Sequence, residues 1–218
     1  GFQGEATDIV ILAKEVLYLK YRLNEIFSKL IGISVEVIKK IRDREEQTDL
    51  WVLFALIKKT PTEYIIQKST ELGASKIVPL ITERTVTKSL NLKRFQDIAI
   101  EASEQCERVT VPEILPLQKL YDVIDDWVEK RTIYYGDETM RHDKHSLNNF
   151  NKSTNASCGA VLVGPEGGFT TKEISYLKQK KFVIPINFGP RILKSDTAVV
   201  TALVLWHTLN GDMKNSFY

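Results

Sequence analysis

The sequence predicts an α/β fold in which a parallel sheet carries helices on both faces. Three observations lead there. From residue 50 onward, short apolar runs rich in β-branched residues alternate with segments of three- and four-residue apolar spacing. Several of the helical segments open on capping residues or close on glycine. Glycine-bearing loops follow two late strand candidates, and ligands of such sheets sit at the carboxyl ends of strands.

Taken in order, Leu50–Ile57 is the first strand candidate. Thr60-Pro61-Thr62-Glu63 reads as a capping box with Pro at the first helical position, opening a helix that Gly73 closes. Lys76–Thr82 reads as the next strand. Arg94–Arg108 carries a helical stripe of Phe95, Ile98, Ala99, Ala102 and Cys106. A further helix is expected over Gln118–Lys130, a strand over Thr132–Tyr135, and a polar surface loop over Met140–Ser157. Strand Gly159–Val163 runs into Gly164-Pro-Glu-Gly-Gly-Phe169, after which Thr170 and Glu173 form a second capping box. Strand Phe182–Phe188 runs into Gly189-Pro-Arg-Ile-Leu-Lys194, and a largely apolar helix extends from Ser195 to Asn210.

Residues 1–47 read differently. Ile9–Leu12 and Ile33–Ile41 have strand composition, whereas Leu12, Val16, Leu19, Leu23, Ile26 and Leu30 recur at helical spacing. The charged run Arg42–Asp49 is the best candidate for a domain boundary, leaving 48–218 as the main domain.

With 218 residues, 43% hydrophobic and 27% charged, the chain is neither fibrous nor disordered. A formal charge of +2 does not announce nucleic-acid binding by itself. No apolar run reaches the ~18 residues of a membrane span, and the first residues lack a signal-peptide pattern. Cys106 and Cys158 fit neither a disulfide framework nor a zinc site, so a reducing cytoplasm is the expected compartment. His142 and His145 lack a third ligand, and no metal is expected.

The strongest chemical signal is the loop Gly164–Phe169, whose glycines let backbone approach a ligand closely. It matches neither a dinucleotide fingerprint nor a phosphate loop, and a tight strand-to-helix turn explains the glycines equally well. Arg191 in the second loop suits a phosphate or carboxylate, or is a plain surface arginine. Glu104 and Arg108 are spaced as a helical surface pair, or line a cleft with Gln105.

Several blocks occur together in a recognisable order. Lys58-Lys59 precedes Tyr64-Ile-Ile-Gln-Lys-Ser-Thr-Glu-Leu-Gly73, and Ile77-Val-Pro-Leu-Ile-Thr-Glu-Arg84 follows. Then come Glu101-Ala-Ser-Glu-Gln-Cys-Glu-Arg108, the Gly164–Phe169 loop and Gly189-Pro-Arg-Ile-Leu-Lys-Ser-Asp-Thr-Ala198. This set resembles the RsmE-type small-subunit ribosomal RNA uracil-N3 methyltransferases of the SPOUT superfamily. Glu107 departs from the family pattern, which has glycine there.

The resemblance implies a parallel-sheet SPOUT trefoil-knot methyltransferase domain with a partial PUA-like RNA-binding domain over residues 1–47, its first strands missing. It implies S-adenosylmethionine as methyl donor, held by Gly164, Pro165, Glu166, Gly167, Gly168, Phe188, Gly189, Ile192, Leu193, Thr197 and Ala198. The implied substrate is one uridine of 16S ribosomal RNA, methylated at N3, with a homodimer as the working form, for which the apolar face of Ala198, Ala202, Leu205 and Leu209 on the last helix offers a surface. Arg108 or Arg191 is the expected stabiliser of ring charge and Glu104, or else Glu71, the expected proton acceptor; Lys58, Lys59, Lys68, Glu71 and Gln105 are expected to meet substrate. Glu166 is a further candidate to face the cofactor's positive charge. A SPOUT enzyme acting on another RNA base or on ribose, and a non-catalytic RNA-binding module, are the alternatives. The second predicts steep salt dependence without cofactor binding.

Overall fold

The computed structural model describes residues 29, 48–127, 131–141 and 158–215. The chain divides into two compact units, Gly1–Arg44 and Glu45–Tyr218, and apart from residue 29 the described residues belong to the second. The expectations for residues 1–47 and for the loop through Ser157 lie almost wholly outside the described residues.

Seven strands form one parallel sheet. They are β1 (Asp49–Ala55), β2 (Lys76–Ile81), β3 (Glu113–Ile114), β4 (Gln118–Lys119), β5 (Thr132–Gly136), β6 (Cys158–Val163) and β7 (Val183–Ile186). Five helices accompany them: α1 (Lys59–Glu71), α2 (Leu92–Gln105), α3 (Leu120–Asp125), α4 (Thr171–Lys178) and α5 (Ser195–Leu209). The strand order is β3-β2-β1-β6-β5-β7, with β4 also pairing β2.

The central strands are apolar throughout because both of their faces are covered. Along β1 and β6, Leu50, Val52, Phe54, Val161 and Val163 pack beneath α1, α2 and α5 with Ile65, Phe95 and Trp206. The alternate residues Leu53, Ala160 and Leu162 pack on the other face with Leu120, Ile124 and Leu177 of α3 and α4. From β6 the chain crosses β5 on the α4 face to reach β7, then returns across β5 on the opposite face as α5. It therefore passes around β5, the step a trefoil knot requires.

The capping box of α4 forms as expected. Thr170 Oγ1 accepts from the Glu173 amide at 3.2 Å, and Glu173 Oε2 accepts from the Thr170 amide at 2.8 Å. The other carboxylate oxygen accepts from the Glu83 amide at 2.8 Å, so fully buried Glu173 ties the loop after β2 to the loop after β6. Backbone donors on both oxygens are what make burial of this side chain tolerable.

Three local expectations are corrected. The Thr60–Glu63 box does not form: α1 starts at Lys59 without a side-chain cap, and Thr62 donates its hydroxyl to the Ile57 carbonyl at 3.2 Å. Pro61 falls within the first turn, where no amide donor is needed. The single helix expected over Gln118–Lys130 is replaced by β4 and the short α3, because pairing of Gln118 and Lys119 with Leu80 and Ile81 claims their backbone. On α5, Ala198 and Ala202 are buried and Leu205 and Leu209 pack against the core, so they do not form the outward apolar face their spacing suggested. Val204 and Thr208 are exposed there instead.

Glu107 adopts φ 59°, a left-handed conformation that costs a residue with a Cβ about 1–2 kcal/mol. This is the position where the resembling family carries glycine. Glu107→Gly should raise stability by about 0.5–1 kcal/mol, part of the relieved strain being offset by glycine's greater unfolded-state entropy. Urea denaturation measures it, and an unchanged or lower midpoint would contradict the strain.

At the foot of the sheet, Arg131 is buried, donating to the Asp49 carbonyl at 3.0 Å and to the Asp49 carboxylate, and lying 3.9 Å from the Trp51 ring centroid. Burial disfavours charge on Asp49, but hydrogen bonds from Arg131 and Ser75 outweigh it and hold the carboxyl below the ordinary 3.8. A carboxyl lowered in the folded state contributes fully above its unfolded value and loses that contribution as pH falls further. Thermal stability should therefore drop with acidification below about pH 4 in the wild type and less in Asp49→Asn, as melting curves across pH will show.

Candidate active site

A cavity of about 220 Å³ opens at the carboxyl ends of β5, β6 and β7. Its walls are three loops that continue those strands, so the parallel sheet itself places them side by side. The β6 loop contributes Gly164, Pro165, Gly167, Gly168 and Phe169, and the β7 loop Asn187, Phe188, Gly189, Arg191, Ile192 and Leu193. Ala198 of α5 closes one side. Gly168 has φ 67°, a left-handed backbone that favours glycine, and a Cβ there would stand 3.0 Å from a Glu138 carboxylate oxygen, which would have to shift slightly.

Side chains lock these loops together. Asn187, itself buried, donates to the Met140 carbonyl at 2.9 Å and accepts from the Gly189 amide, joining the loops after β5 and β7. Asp137 is buried at the floor, accepting from the Tyr135 hydroxyl at 3.0 Å and from the Thr139 amide and hydroxyl at 3.0 and 2.6 Å. Lys178 lies 3.1 Å from it. Burial opposes charge on Asp137, but the donors from Thr139, Lys178 and Tyr135 outweigh it and keep the carboxyl below its ordinary value. Burial, then the neighbouring Asp137 charge, pushes the Tyr135 hydroxyl well above its ordinary value. Asp137 is thus a structural anion, already committed.

On the other side, the turn after β2 reaches the glycine loop. Glu83 accepts from the Thr170 and Tyr121 hydroxyls, each at 2.9 Å, and these two bonds hold its carboxyl low. Partial burial and the Glu83 partner raise the Tyr121 hydroxyl to about 12, so it remains a donor throughout the neutral range. Arg84 donates to the Gly167 carbonyl at 2.5 Å and lines the cavity.

The cavity gathers most of the residues expected to hold a cofactor, and Arg191 with them. Glu166 and Thr197 are exposed and do not line it. The remaining expected residues separate by height on the sheet. Lys58 and Lys59 stand at the start of α1, after the carboxyl end of β1, and are exposed on the cavity's side of the sheet. Lys68 and Glu71 pair with each other at 2.6 Å near the far end of α1. Gln105 lines a separate groove of about 280 Å³ between α1 and α2, and Glu104 is exposed nearby.

Arg108 does not line the cavity within this chain. Its guanidinium donates to the Thr70 and Ala74 carbonyls at 2.6 and 3.1 Å and to Thr110 Oγ1 at 2.9 Å. These groups lie at the amino end of β2, away from the cavity, so Arg108 caps the end of α1. It forms neither the expected surface pair with Glu104 nor a cleft wall.

Sequence reasoning missed Arg84, Asp137, Glu138 and Asn187. All four sit just beyond the carboxyl ends of β2, β5 or β7, and that placement was the available signal. The Glu138 carboxylate makes no hydrogen bond or ion pair among the described residues, and it lines the cavity. No cluster of three metal-ligating side chains occurs among the described residues. No helix there is long and apolar enough to cross a membrane.

Comparison with known proteins agrees with this geometry. A family model described as RNA methyltransferase domain matches residues 44–207, and one described as Clp protease matches residues 1–50. The second match covers the segment expected to be PUA-like. Ribosomal RNA small subunit methyltransferase E of Rickettsia conorii is 33% identical over 174 residues, 79% of this chain and 69% of the relative. Among solved structures, that enzyme from Neisseria gonorrhoeae, bound to S-adenosylmethionine, is similar with TM-score 0.66 and 28% identity, covering 76% of this chain and 68% of its own. The Legionella pneumophila protein Lpg2936, also holding that cofactor, gives TM-score 0.66 and 30% identity over the same shares. The fold is the parallel-sheet α/β methyltransferase fold expected from the sequence, and with the family match spanning most of its length the chain belongs to the RNA methyltransferase domain family.

Proposed function

We propose that the chain is an S-adenosylmethionine-dependent methyltransferase of N3 of a uridine in 16S ribosomal RNA, working as a homodimer in the cytoplasm. The observation that carries the reading is the cavity walled by the loops after β5, β6 and β7, two of them glycine-bearing, where most of the expected cofactor residues meet. The residues fit the donor: Gly164, Gly167, Gly168 and Gly189 let a ligand approach the backbone closely, and Phe169, Phe188 and Ile192 supply apolar surface. Bound there, S-adenosylmethionine supplies a methyl group activated on a sulfonium.

The chain's own residues supply position and charge. N3 of uracil is a poor nucleophile until its proton leaves, and negative charge then develops on the ring oxygens. Arg191, exposed on the cavity wall, is placed to stabilise that charge. Glu138 takes the part expected of Glu166, a carboxylate facing the cofactor's positive charge. Lys58 and Lys59, on the same side of the sheet, suit phosphate contacts. Val204 and Thr208 on the outer side of α5 are the surface a second subunit would cover. Cys106 and Cys158, two partly buried thiols, accord with a reducing compartment.

Incubating the purified chain with S-adenosylmethionine and small ribosomal subunits lacking the modification should produce N3-methyluridine, read by nucleoside mass spectrometry. Methylation at another base or at ribose would favour the alternative enzyme, and no methylation with intact cofactor binding would overturn the catalytic reading. Gly168→Ala should weaken cofactor binding by about tenfold, since the left-handed strain falls on the loop that cradles the ligand. Calorimetry checks it, and unchanged affinity would remove Gly168 from the site.

A further inference from the structure

Arg84 belongs to a turn built for rigidity. The Thr82 amide donates to Thr85 Oγ1 at 2.9 Å, the Thr85 amide returns to the Thr82 carbonyl at 3.2 Å, and the two hydroxyls lie 2.9 Å apart. Both threonines are buried, which leaves Glu83 and Arg84 exposed at the tip. The two tip residues fare differently. Glu83 is fully engaged: its amide goes to Glu173, its carboxylate to Tyr121 and Thr170, with Lys172 at 3.8 Å. Among the described residues Arg84 makes a single side-chain bond, to the Gly167 carbonyl, although a guanidinium has five donors. Its stem passes over Gly167, with Cδ 3.4 Å from where a Cβ would stand.

A cation held by a rigid turn on one side and by the glycine loop on the other cannot swing freely, and most of its donors remain unused at the cavity wall. We propose that Arg84 is a binding residue of this site, its remaining donors receiving an anionic oxygen of the occupant. This rests on the methyltransferase reading. Two sources offer that chemistry: the amino-acid carboxylate of the methyl donor, and a phosphate or base oxygen of the RNA. The Gly167 bond fixes the fork, which is why lysine is an incomplete replacement.

The test uses the full chain carrying Arg84→Ala or Arg84→Lys, with calorimetric affinities for S-adenosylhomocysteine and for methylthioadenosine, which lacks the amino-acid carboxylate. If the carboxylate is the partner, Arg84→Ala weakens S-adenosylhomocysteine by about tenfold or more and leaves methylthioadenosine unchanged. If the partner is an RNA oxygen, both affinities hold while KM for RNA rises or kcat falls by a similar factor. Arg84→Lys retains part of either effect. Equal losses for both nucleosides would mean that Arg84 only shapes the loop, and no change in affinity or turnover would mean it binds nothing; either result overturns the proposal. Wild-type binding of S-adenosylhomocysteine is the control, and its failure would count against the methyltransferase reading rather than against Arg84.

Discussion

The buried carboxylate of Glu173 is the constraint on which the site depends. Its two oxygens take backbone amides from two loops far apart in sequence, Thr170 in the loop after β6 and Glu83 in the turn after β2. Without both donors, a carboxylate at that depth is costly. With them, it sets the distance between the glycine loop and the turn carrying Arg84. Asn187 and Asp137 repeat the device at the loops after β5 and β7. A sheet end that is otherwise four separate connections becomes one surface.

That arrangement divides labour between backbone and side chain. The side chains of Glu173, Asp137 and Asn187 face inward and are consumed in holding loops. Gly164, Gly167, Gly168 and Gly189 line the cavity with no side chain between it and the backbone. Arg84, Glu138 and Arg191 add charge at the wall. Preorganised groups of this kind act without having to reorganise as a reaction proceeds, which is where most of their value lies.

The fold class and the strand-helix alternation were legible because periodicity and burial agree along β1, β6 and α2. The loops that wall the cavity were legible because two of them follow apolar strands and carry glycine beside proline. What failed had physical reasons. Spacing cannot show that Arg108 finds carbonyls of another helix end, since Thr70 is 38 residues away. Gln118–Lys119 has no propensity that reveals an edge pairing with β2. The amphipathic count on α5 took its small residues for an outer face, whereas small residues are what lets that helix lie close to β6. The departure at Glu107 was visible as a letter, but only the backbone angle gives it a meaning.

The strand order also bears on how the protein is made. β1 is apolar from Leu50 to Ala55, and one of its two edges pairs with β6, beginning at Asp49 with Cys158. β6 leaves the ribosome about 100 residues after β1, on the order of 5–20 s at ordinary elongation rates. Throughout that interval an apolar central strand presents an open edge, the kind of template on which chains aggregate. The central place of β6, which sets up the active-site end of the sheet, thus makes the nascent chain dependent on shelter until its last third has emerged.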